Sequence, residues 1–473
     1  MAGVIACVAA RLEPAPALTA KTIADATRIA THEIRMRRFG KFMHFPLFDL
    51  TATRSRGIAD EPATSPKRGD HRLTMDKNSR GSAGRVPEER RVGRVKHVVI
   101  LGAGFGGLEL ASRLSDSVAD EVRVTLIDRN DGFTFGFSKL DIVFGGSDSS
   151  AVRLPYRDLA KPGVEFRQER VTAIDPAARH VTTDQGSYDA DVLVVALGAE
   201  YDVEATPGFA EGGLEYYSIA GAERMRDALP EFSGGTILIG VLGQPYKCPP
   251  APFEGAFLLH DQLVERGIRE QTEIRVVAPM SAPVPVTPEV SQRFLDELAD
   301  RGIEYMAQKK VVELDPSAKE AVLESGERLP YDLFVGIPIH RVPAVVEESG
   351  LAESGWVAVD RDNLMTPFPD VYAVGDVVGI PMAKAGVFAE NAAGVVADDI
   401  VARLHGETLG RRYEGAGNCY IEFGSGRVAK VVANFLGGPS PTATVEGPSA
   451  ELAAEKEKFA PARRARWFGE GPA

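Results

Sequence analysis

The chain alternates short, mostly apolar runs with longer segments of helical periodicity. The apolar runs cover residues 98–101, 192–196, 236–240, 331–337 and 371–374. Helical patterns cover residues 105–114, 253–266, 287–301 and 385–404. Apolar runs without regular polar alternation are typical of strands buried on both faces of a parallel sheet. The alternation of such strands with helices therefore predicts an α/β fold.

A glycine-rich turn follows the first apolar run. Gly102, Gly104 and Gly107 form a G-x-G-x-x-G motif. In this motif the first glycine permits a tight turn, the second lets a pyrophosphate approach the backbone, and the third lets the next helix pack on the strand. The following predicted strand ends at Asp128, 21 residues after Gly107, where a carboxylate can accept hydrogen bonds from an adenosine ribose. The spacing predicts a dinucleotide-binding domain and disfavours the alternative, a glycine-rich turn in an ordinary α/β domain.

A second strand–turn–helix unit begins at residue 236. Where a second glycine motif would stand, residues 240–252 read GVLGQPYKCPPAP. Proline has no amide hydrogen to donate, and its ring blocks close approach of a ligand to the backbone. We therefore expect a second Rossmann-like domain whose nicotinamide dinucleotide site is degenerate.

Charge is distributed unevenly along the 473 residues. The formal net charge is −13, made up of +9 over residues 1–96 and −22 over residues 97–473. The acidic body disfavours duplex nucleic acid as a partner. No apolar run approaches the ~18 residues that a membrane-spanning helix needs.

Residues 1–95 look like a separate basic extension. They show no clear strand pattern, and residues 51–94 are rich in Arg, Ser, Gly and Pro. Three interpretations remain open: a disordered tail, a spurious extension with Met75 as the true start, or a targeting peptide. The third is disfavoured because His44 and Asp49 interrupt the apolar stretch that follows Arg37 and Arg38.

The cysteine pattern favours a reducing environment. Cys7, Cys248 and Cys419 are sparse and odd in number, which argues against a disulfide framework and for a cytoplasmic protein. The sequence has no C-x-x-C or H-E-x-x-H motif, so we expect no metal site.

Three segments together resemble a known family. They are the glycine turn with Asp128, the segment Ala196–Gly198, and the segment Val371–Asp376. This ordered set resembles the flavoproteins of the glutathione-reductase type, which have two dinucleotide-binding domains. The resemblance implies FAD as cofactor, with the Asp376 carboxylate on the ribityl chain and Gly375 allowing close approach. It implies cofactor contacts from Gly102, Gly104, Gly107, Asp128, Lys139, Ala196, Gly198, Gly375, Asp376 and Lys384.

Within that family, two further segments resemble the sulfide:quinone oxidoreductases and the flavoprotein of flavocytochrome c sulfide dehydrogenases. They are residues 245–254, PYKCPPAPFE, and residues 383–390, AKAGVFAE. The resemblance implies catalytic roles for Cys248, Glu254 and Lys384. It places Cys248 at the flavin, where its thiolate would attack a sulfur substrate and form a persulfide. The electrons would pass through FAD to a quinone or to a protein acceptor.

The sequence departs from this resemblance at one position. Those enzymes have a second redox cysteine shortly after the Gly-Asp motif, but residues 375–380 read GDVVGI. We therefore expect Cys248 to act alone, with its thiol pKa lowered by Lys247 and by the start of the following helix. Cys419 lies in a predicted strand, so we expect a core position for it and no internal disulfide.

Several residues have a structural and a functional interpretation. Lys384 is either a solvated charge at a helix start or a cation facing the negative edge of reduced flavin. Glu254 either stabilises a helix N-terminus or acts as a general base. The aromatic loop 132–141 either packs over a flat ligand or is an entry loop of the core.

The C-terminal pattern predicts one basic amphipathic helix over residues 450–468. It ends in Arg463, Arg464, Arg466, Trp467 and Phe468. Such a helix either contacts a membrane surface or docks on the body of the protein. We favour docking, and we expect a cytoplasmic protein, peripheral to the membrane at most.

The predicted organisation has five parts. They are the extension 1–95, a first part of the FAD-binding domain 96–205, a degenerate second domain 206–330, a second part of the FAD-binding domain 331–410, and a C-terminal hairpin and helix 411–473. The favoured function is oxidation of sulfide or a small thiol. The alternatives are an FAD-dependent NAD(P)H dehydrogenase, such as a quinone or ferredoxin reductase, and a flavin-binding redox sensor.

A protein that begins at Met75 should fold and bind FAD like the full chain, because residues 1–74 lack the pattern needed to bury a core. FAD content after purification and the midpoint of thermal unfolding test this expectation. A large loss of either on truncation would contradict it.

Overall fold

The computed structural model describes residues 94–285 and 287–469, which belong to one compact unit. The interpretations of the basic extension concern residues outside these ranges. Within the described ranges, no helix is both long enough and apolar enough to cross a membrane.

The strands are β1 Lys96–Leu101, β2 Val122–Asp128, β3 Gly132–Thr134, β4 Arg153–Pro155, β5 Val164–Gln168, β6 Val171–Asp175, β7 His180–Thr183, β8 Ser187–Asp189, β9 Val192–Val195, β10 Glu200–Asp202, β11 Gly213–Leu214, β12 Gly235–Val241, β13 Thr272–Ala278, β14 Ile303–Ala307, β15 Val311–Asp315, β16 Glu320–Leu323, β17 Arg328–Pro330, β18 Leu333–Ile337, β19 Ile339–Arg341, β20 Ala352–Glu353, β21 Trp356–Val357, β22 Val371–Ala373, β23 Ala416–Glu422, β24 Val428–Asn434 and β25 Thr442–Ser449.

The helices are α1 Phe105–Val118, α2 Ser138–Phe144, α3 Phe209–Gly212, α4 Ile219–Ala228, α5 Ala251–Glu265, α6 Pro288–Asp300, α7 Ala344–Glu348, α8 Gly386–Leu404, α9 Ala450–Lys456 and α10 Phe459–Phe468. Short 3₁₀ turns cover Tyr156–Asp158, Leu229–Glu231, Arg269–Gln271 and Gly375–Val377.

The first parallel sheet has the strand order β22-β9-β1-β2-β5. Strand β1 is central, and its residues Val98–Leu101 are completely buried because helices α1 and α8 pack together beside the sheet. The chain leaves this sheet after β9 and returns to it only at β22. The turns after β1, β9 and β22 therefore meet at one edge of the sheet.

The second parallel sheet has the order β11-β18-β12-β13-β14. Strand β18 pairs with β12, so that Val335 lies beside Ile239. The sequence boundary at residue 331, which assigned this strand to the FAD-binding domain, is therefore wrong. The hydrophobic run alone does not reveal it, since a fully buried strand suits either sheet.

The C-terminal region is larger than the predicted hairpin. Strands β23 and β24 pair as predicted, but β25 adds a third antiparallel strand. The expected single helix over 450–468 is two helices, α9 and α10, separated at Glu457 and Lys458. The C-terminal sheet packs through β23 against α5. This contact brings the C-terminal region close to the carboxyl edge of the first sheet.

Candidate active site

A cavity of about 1120 Å³ lies at the carboxyl edge of the first sheet. The turns after β1, β9 and β22 line it, together with the start of α5 and strand β23. Ligands of open parallel sheets bind outside the carboxyl ends of the strands. The volume exceeds the roughly 300–1,000 Å³ of common small-molecule pockets, which leaves room for a dinucleotide and a small substrate.

The glycine turn is shaped by two close backbone approaches. A Cβ atom at Gly102, where φ is +101°, would lie 2.4 Å from the Ala196 carbonyl oxygen, and one at Gly107 would lie 1.9 Å from the Gly102 oxygen. A Cβ atom at Gly104 would meet nothing within 4 Å. Gly102 and Gly104 line the cavity, whereas Gly107 packs behind it. Gly104 is also the N-cap of α1 and supplies no side-chain cap, so the first-turn amides of this helix remain available to an anion.

Asp128 ties the end of β2 to the glycine turn. Its Oδ2 accepts a hydrogen bond of 2.8 Å from the Ala103 amide, and its Oδ1 accepts one of 2.8 Å from the Asn130 amide. The carboxylate lines the cavity and keeps lone pairs for a hydroxyl donor. This position suits an adenosine ribose.

Lys384 lies beside the Gly-Asp motif and is 7% exposed. Its Nζ donates to the carbonyl oxygens of Asp376, at 2.7 Å, and Val378, at 3.0 Å. The same ammonium lies 3.6 Å from the centroid of the Trp356 ring. Burial lowers the pKa of Lys384 to about 8, and the nearby Asp376 carboxylate opposes this shift. Lys384 is therefore held by the protein just before α8 begins, where it lines the cavity and is shielded from bulk solvent.

The other predicted cofactor residues also line the cavity. They are Lys139, Ala196, Gly198, Gly375 and Asp376. The aromatic loop 132–141 fits both interpretations. Phe135 is buried in the core, Phe137 borders the cavity, and Phe133 is buried and also borders the cavity.

Cys248 extends from the loop between β12 and α5 into the cavity. Its φ is +51°, which is unusual for a residue that is not glycine. The Cys248 amide donates to the Lys384 carbonyl over 2.7 Å, so the cysteine loop is attached directly to the segment before α8. The Ala251 amide donates to the Cys248 carbonyl over 2.8 Å.

Glu254 lies one turn into α5 and is 4% exposed. Its Oε2 is 3.8 Å from the Cys248 Sγ, and its Oε1 accepts a hydrogen bond of 2.9 Å from the Glu422 amide. Burial raises the pKa of Glu254 to about 7, against the opposing effect of that amide. The carboxyl group is therefore able to gain or lose a proton near neutral pH.

The expectation that Lys247 lowers the thiol pKa is wrong. Burial raises the pKa of Cys248 well above its usual range, and the Glu254 carboxylate adds to the effect. The Lys247 ammonium points elsewhere: it donates to the Ala199 carbonyl over 2.7 Å and lies 4.8 Å from the centroid of the Tyr201 ring. Adjacency along the chain does not determine which way a side chain points.

The core position expected for Cys419 is also wrong. Cys419 lies in a strand, as predicted, but it lines the same cavity as Cys248 and is partly exposed there. Burial, and then the Glu254 carboxylate, raise the pKa of Cys419 to about 12. The two thiols thus share one carboxyl neighbour. The sequence carried no local signal of this, since packing between α5 and β23 brings the residues together.

The sequence pattern did not predict several other residues that line the cavity. Tyr201, Tyr216, Tyr217, Tyr420, Lys456 and Phe459 all line the cavity. The adjacent pair Tyr216 and Tyr217 was the one visible signal, because two aromatic side chains next to each other cannot both follow the alternation of a half-buried strand.

The C-terminal helix docks on the protein through its aromatic end. Trp467 is completely buried, and its Nε1 donates to Glu109 of α1 over 2.9 Å. Arg466 donates to the same carboxylate over 2.7 Å. Although burial alone would raise it, the pKa of Glu109 is held below its usual value by these two bonds. The residues left exposed on α10 are Pro461, Ala462, Arg464 and Ala465.

The second sheet lacks the features of a nicotinamide dinucleotide site. The segment from β12 to α5 runs from residue 242 to 250 and carries no tight glycine turn. Strand β13 ends at Ala278 and is followed by Pro279 and Met280. In a nicotinamide dinucleotide site, an acidic residue at the end of this strand would bind a ribose, and here there is none.

The sequence pattern of the pyridine nucleotide-disulphide oxidoreductases matches residues 96–392, which is more than half of the chain. The chain belongs to this family. Its members are FAD-binding oxidoreductases, so the predicted α/β fold class, cofactor and enzyme class are confirmed.

Several relatives share a more specific name. The mitochondrial sulfide:quinone oxidoreductase of Mus musculus is 25% identical over 354 residues, which is 72% of this chain and 77% of that protein. The sulfide-quinone reductase of Aquifex aeolicus is 27% identical over 330 residues, or 65% of this chain and 76% of that protein. A type II NADH:quinone oxidoreductase of Staphylococcus saprophyticus is 25% identical over 319 residues, or 59% of this chain and 74% of that protein.

The fold is also that of a solved relative. The crystal structure of the Aquifex aeolicus sulfide:quinone oxidoreductase superposes with a TM-score of 0.72 at 24% identity, covering 80% of this chain and 93% of that one. The residues present fit FAD, because the open space at Gly104, the uncapped α1 and the Asp128 and Asp376 carboxylates all border one cavity.

Gly104→Val should abolish FAD binding, because a branched side chain would fill the space in front of the α1 amides. The measurement is the FAD content of the purified protein. Gly410→Val is the control: residue 410 also has open space around its Cβ, but it lies outside the cavity. A full complement of FAD in Gly104→Val would show that this turn does not hold the pyrophosphate.

Proposed function

We propose that this enzyme oxidises sulfide, or a small thiol, at Cys248 and passes the electrons through FAD to a quinone or another acceptor. One observation carries the proposal. A cysteine in a left-handed backbone conformation faces the cavity, is attached to the segment that carries Lys384, and has a carboxyl group with a pKa of about 7 only 3.8 Å away. The names of the relatives support the same substrate and acceptor.

The proposed first step forms a sulfur–sulfur bond. The Cys248 thiol and one molecule of H₂S become a persulfide, and two protons and two electrons are released. FAD, when bound, supplies the two-electron chemistry. Glu254 accepts a proton, since it is the carboxyl group next to the thiol and its pKa allows it to be ionised at neutral pH. The terminal sulfur then passes to an external thiol or sulfide, which regenerates the Cys248 thiol.

The protein also shapes the surroundings of this step. Lys384 and Lys247 place two cations beside the cavity, and Lys384 has a pKa low enough to lose its proton in mildly alkaline solution. Tyr216, Tyr217 and Glu254 line the same cavity as Cys248. Glu254 and Lys384 are themselves buried, and burial strengthens their electrostatic contacts.

Cys248→Ser should retain FAD and fold normally but lose anaerobic flavin reduction by sulfide, because a serine hydroxyl is not a comparable nucleophile. Cys419→Ser is the matched variant, since it removes the other thiol of the same cavity. The rate of flavin reduction in its first turnover should remain close to that of the native enzyme, because the sulfur–sulfur bond first forms at Cys248.

Two results would change this assignment. Normal reduction of Cys248→Ser would remove Cys248 from the mechanism. A resting mass two hydrogens short, located by peptide mapping to a Cys248–Cys419 disulfide, would establish a two-thiol mechanism in place of the one-thiol mechanism.

Glu254→Gln should slow flavin reduction by about 10²-fold at neutral pH, because it removes the proton acceptor. The pKa of Glu254 is raised, so its carboxylate forms only as the pH rises through about 7. Alkylation of Cys248 by neutral iodoacetamide should therefore accelerate across this pH in the native enzyme and lose that inflection in Glu254→Gln. Alkylation is the better probe, since sulfide itself titrates near neutral pH.

The control is Glu265→Gln, which changes an exposed carboxylate at the other end of α5. An unchanged inflection in Glu254→Gln would exclude Glu254 as the base.

NADH should reduce the flavin much more slowly than sulfide does, because the turn after β12 contains prolines and β13 ends without an acidic residue. Stopped-flow reduction of the same holoenzyme by each reductant tests this. Rapid reduction by micromolar NADH would instead favour an NADH dehydrogenase.

A further inference from the structure

The loop that carries Cys248 has few backbone donors of its own. Residues 245–252 contain four prolines, each of which lacks an amide hydrogen. Buried carbonyl groups in such a loop need hydrogen-bond donors other than the loop's own backbone amides. Three tyrosine hydroxyl groups supply them.

Each hydroxyl bonds to a different carbonyl oxygen, two of them in the loop and one at Ala251, the first residue of α5. Tyr217 donates to the oxygen of Lys247 over 2.9 Å. Tyr246 donates to Pro249 over 3.0 Å. Tyr216 donates to Ala251 over 2.8 Å. The first bond holds the peptide unit directly before Cys248, and the others hold the units that follow it.

The tyrosines are themselves held firmly. Their exposed fractions are 4% for Tyr216, 6% for Tyr217 and 4% for Tyr246. The Tyr217 amide donates to the Glu215 carboxylate, which also accepts a hydrogen bond from the Ser218 amide over 2.8 Å. On the opposite side, a Cβ atom at Gly255 would lie 2.4 Å from the Tyr216 hydroxyl. Glycine at that position of α5 therefore makes room for the Tyr216 hydroxyl.

These hydroxyl groups are not suited to proton transfer. Burial raises the pKa of Tyr216 and of Tyr217 well above the usual range, so both stay neutral throughout the working pH of an enzyme. Each hydroxyl hydrogen is used in a bond to a carbonyl oxygen and is not directed at the Cys248 thiol. Their contribution is to geometry.

The geometry needs support, because Cys248 has a φ of +51°. This left-handed backbone conformation is disfavoured for a residue with a side chain, and it persists only where the surrounding structure holds it. The Lys384 carbonyl holds the Cys248 amide from one side, and the tyrosines hold the neighbouring carbonyls from the other. We propose that Tyr216, Tyr217 and Tyr246 form a clamp that positions the Cys248 thiol in the cavity. The proposal rests on the proposed function in so far as the positioned thiol is the reactive one.

Tyr217→Phe and Tyr246→Phe test the clamp, because each removes one hydroxyl and keeps the ring. With FAD bound, each should lower the limiting rate of flavin reduction at saturating sulfide by about five- to tenfold, the effect of one lost hydrogen bond. Alkylation of Cys248 by iodoacetamide, followed by peptide mass spectrometry, should accelerate by a similar factor, because the released loop lets the thiol, which is already exposed to the cavity, move toward the reagent. Opposite changes in the two rates distinguish lost positioning from general damage.

Tyr305→Phe is the matched control. Its hydroxyl also donates to a carbonyl oxygen, that of Met280 over 3.1 Å, in the same domain but outside the cavity. Tyr305→Phe should lower the midpoint of thermal unfolding about as much as Tyr217→Phe and Tyr246→Phe do. It should leave the rates of flavin reduction and of Cys248 alkylation unchanged. If Tyr217→Phe and Tyr246→Phe behave like Tyr305→Phe, the clamp is refuted, while an inactive Cys248→Ser would still support the proposed function. If Cys248→Ser reduces normally but Tyr217→Phe still accelerates alkylation, the proposed function fails and the clamp remains.

Discussion

The hydrogen bond from the Cys248 amide to the Lys384 carbonyl, 2.7 Å long, joins the two halves of this molecule at the cavity. Cys248 follows the central strand of the second sheet, and Lys384 follows the last strand of the first sheet. Both peptide groups lie between packed segments, where an unpaired group would be costly. The bond therefore keeps the thiol loop in a constant position relative to the segment that carries Asp376 and Lys384. The chemistry proposed for the cavity depends on that constancy.

Burial is the common cause of the electrostatic properties of the site. It raises the pKa of Glu254 to about 7 and that of Cys419 to about 12, and it lowers the pKa of Lys384 to about 8. Each shift favours the neutral form, as expected where protein replaces water. An acid and a base whose pKa values approach the working pH are suited to proton transfer. A Cys248 thiol with a raised pKa needs such a neighbour, because little thiolate forms without one.

The C-terminal region lines the cavity and also docks on the helix that begins at the glycine turn. Strand β23 supplies Cys419, and the Glu422 amide orients Glu254. Arg301 of the second domain holds this region in place by donating to the Phe423 carbonyl over 2.6 Å. Trp467 bonds to the buried Glu109 of the helix that begins at the glycine turn. Arg463 and Arg466 thus serve to dock the last helix, through Glu390 and Glu109, and Phe459 of the same helix lines the cavity.

Local patterns were enough to predict the α/β fold, the glycine turn, most helix positions and the segments before and after β22. These features depend on residues that are close in the sequence, such as apolar runs, glycine spacing and helical periodicity. Which sheet strand β18 joins could not be predicted, because Leu333–Ile337 would be buried equally well in either. Nor could the direction of the Lys247 side chain, the position of Cys419 beside Glu254, or the tyrosine contacts with the cysteine loop. Each of these results from packing between segments far apart in the chain. The sequence by itself therefore determined the class of fold and its cofactor, and the tertiary structure decided which side chains surround the Cys248 thiol.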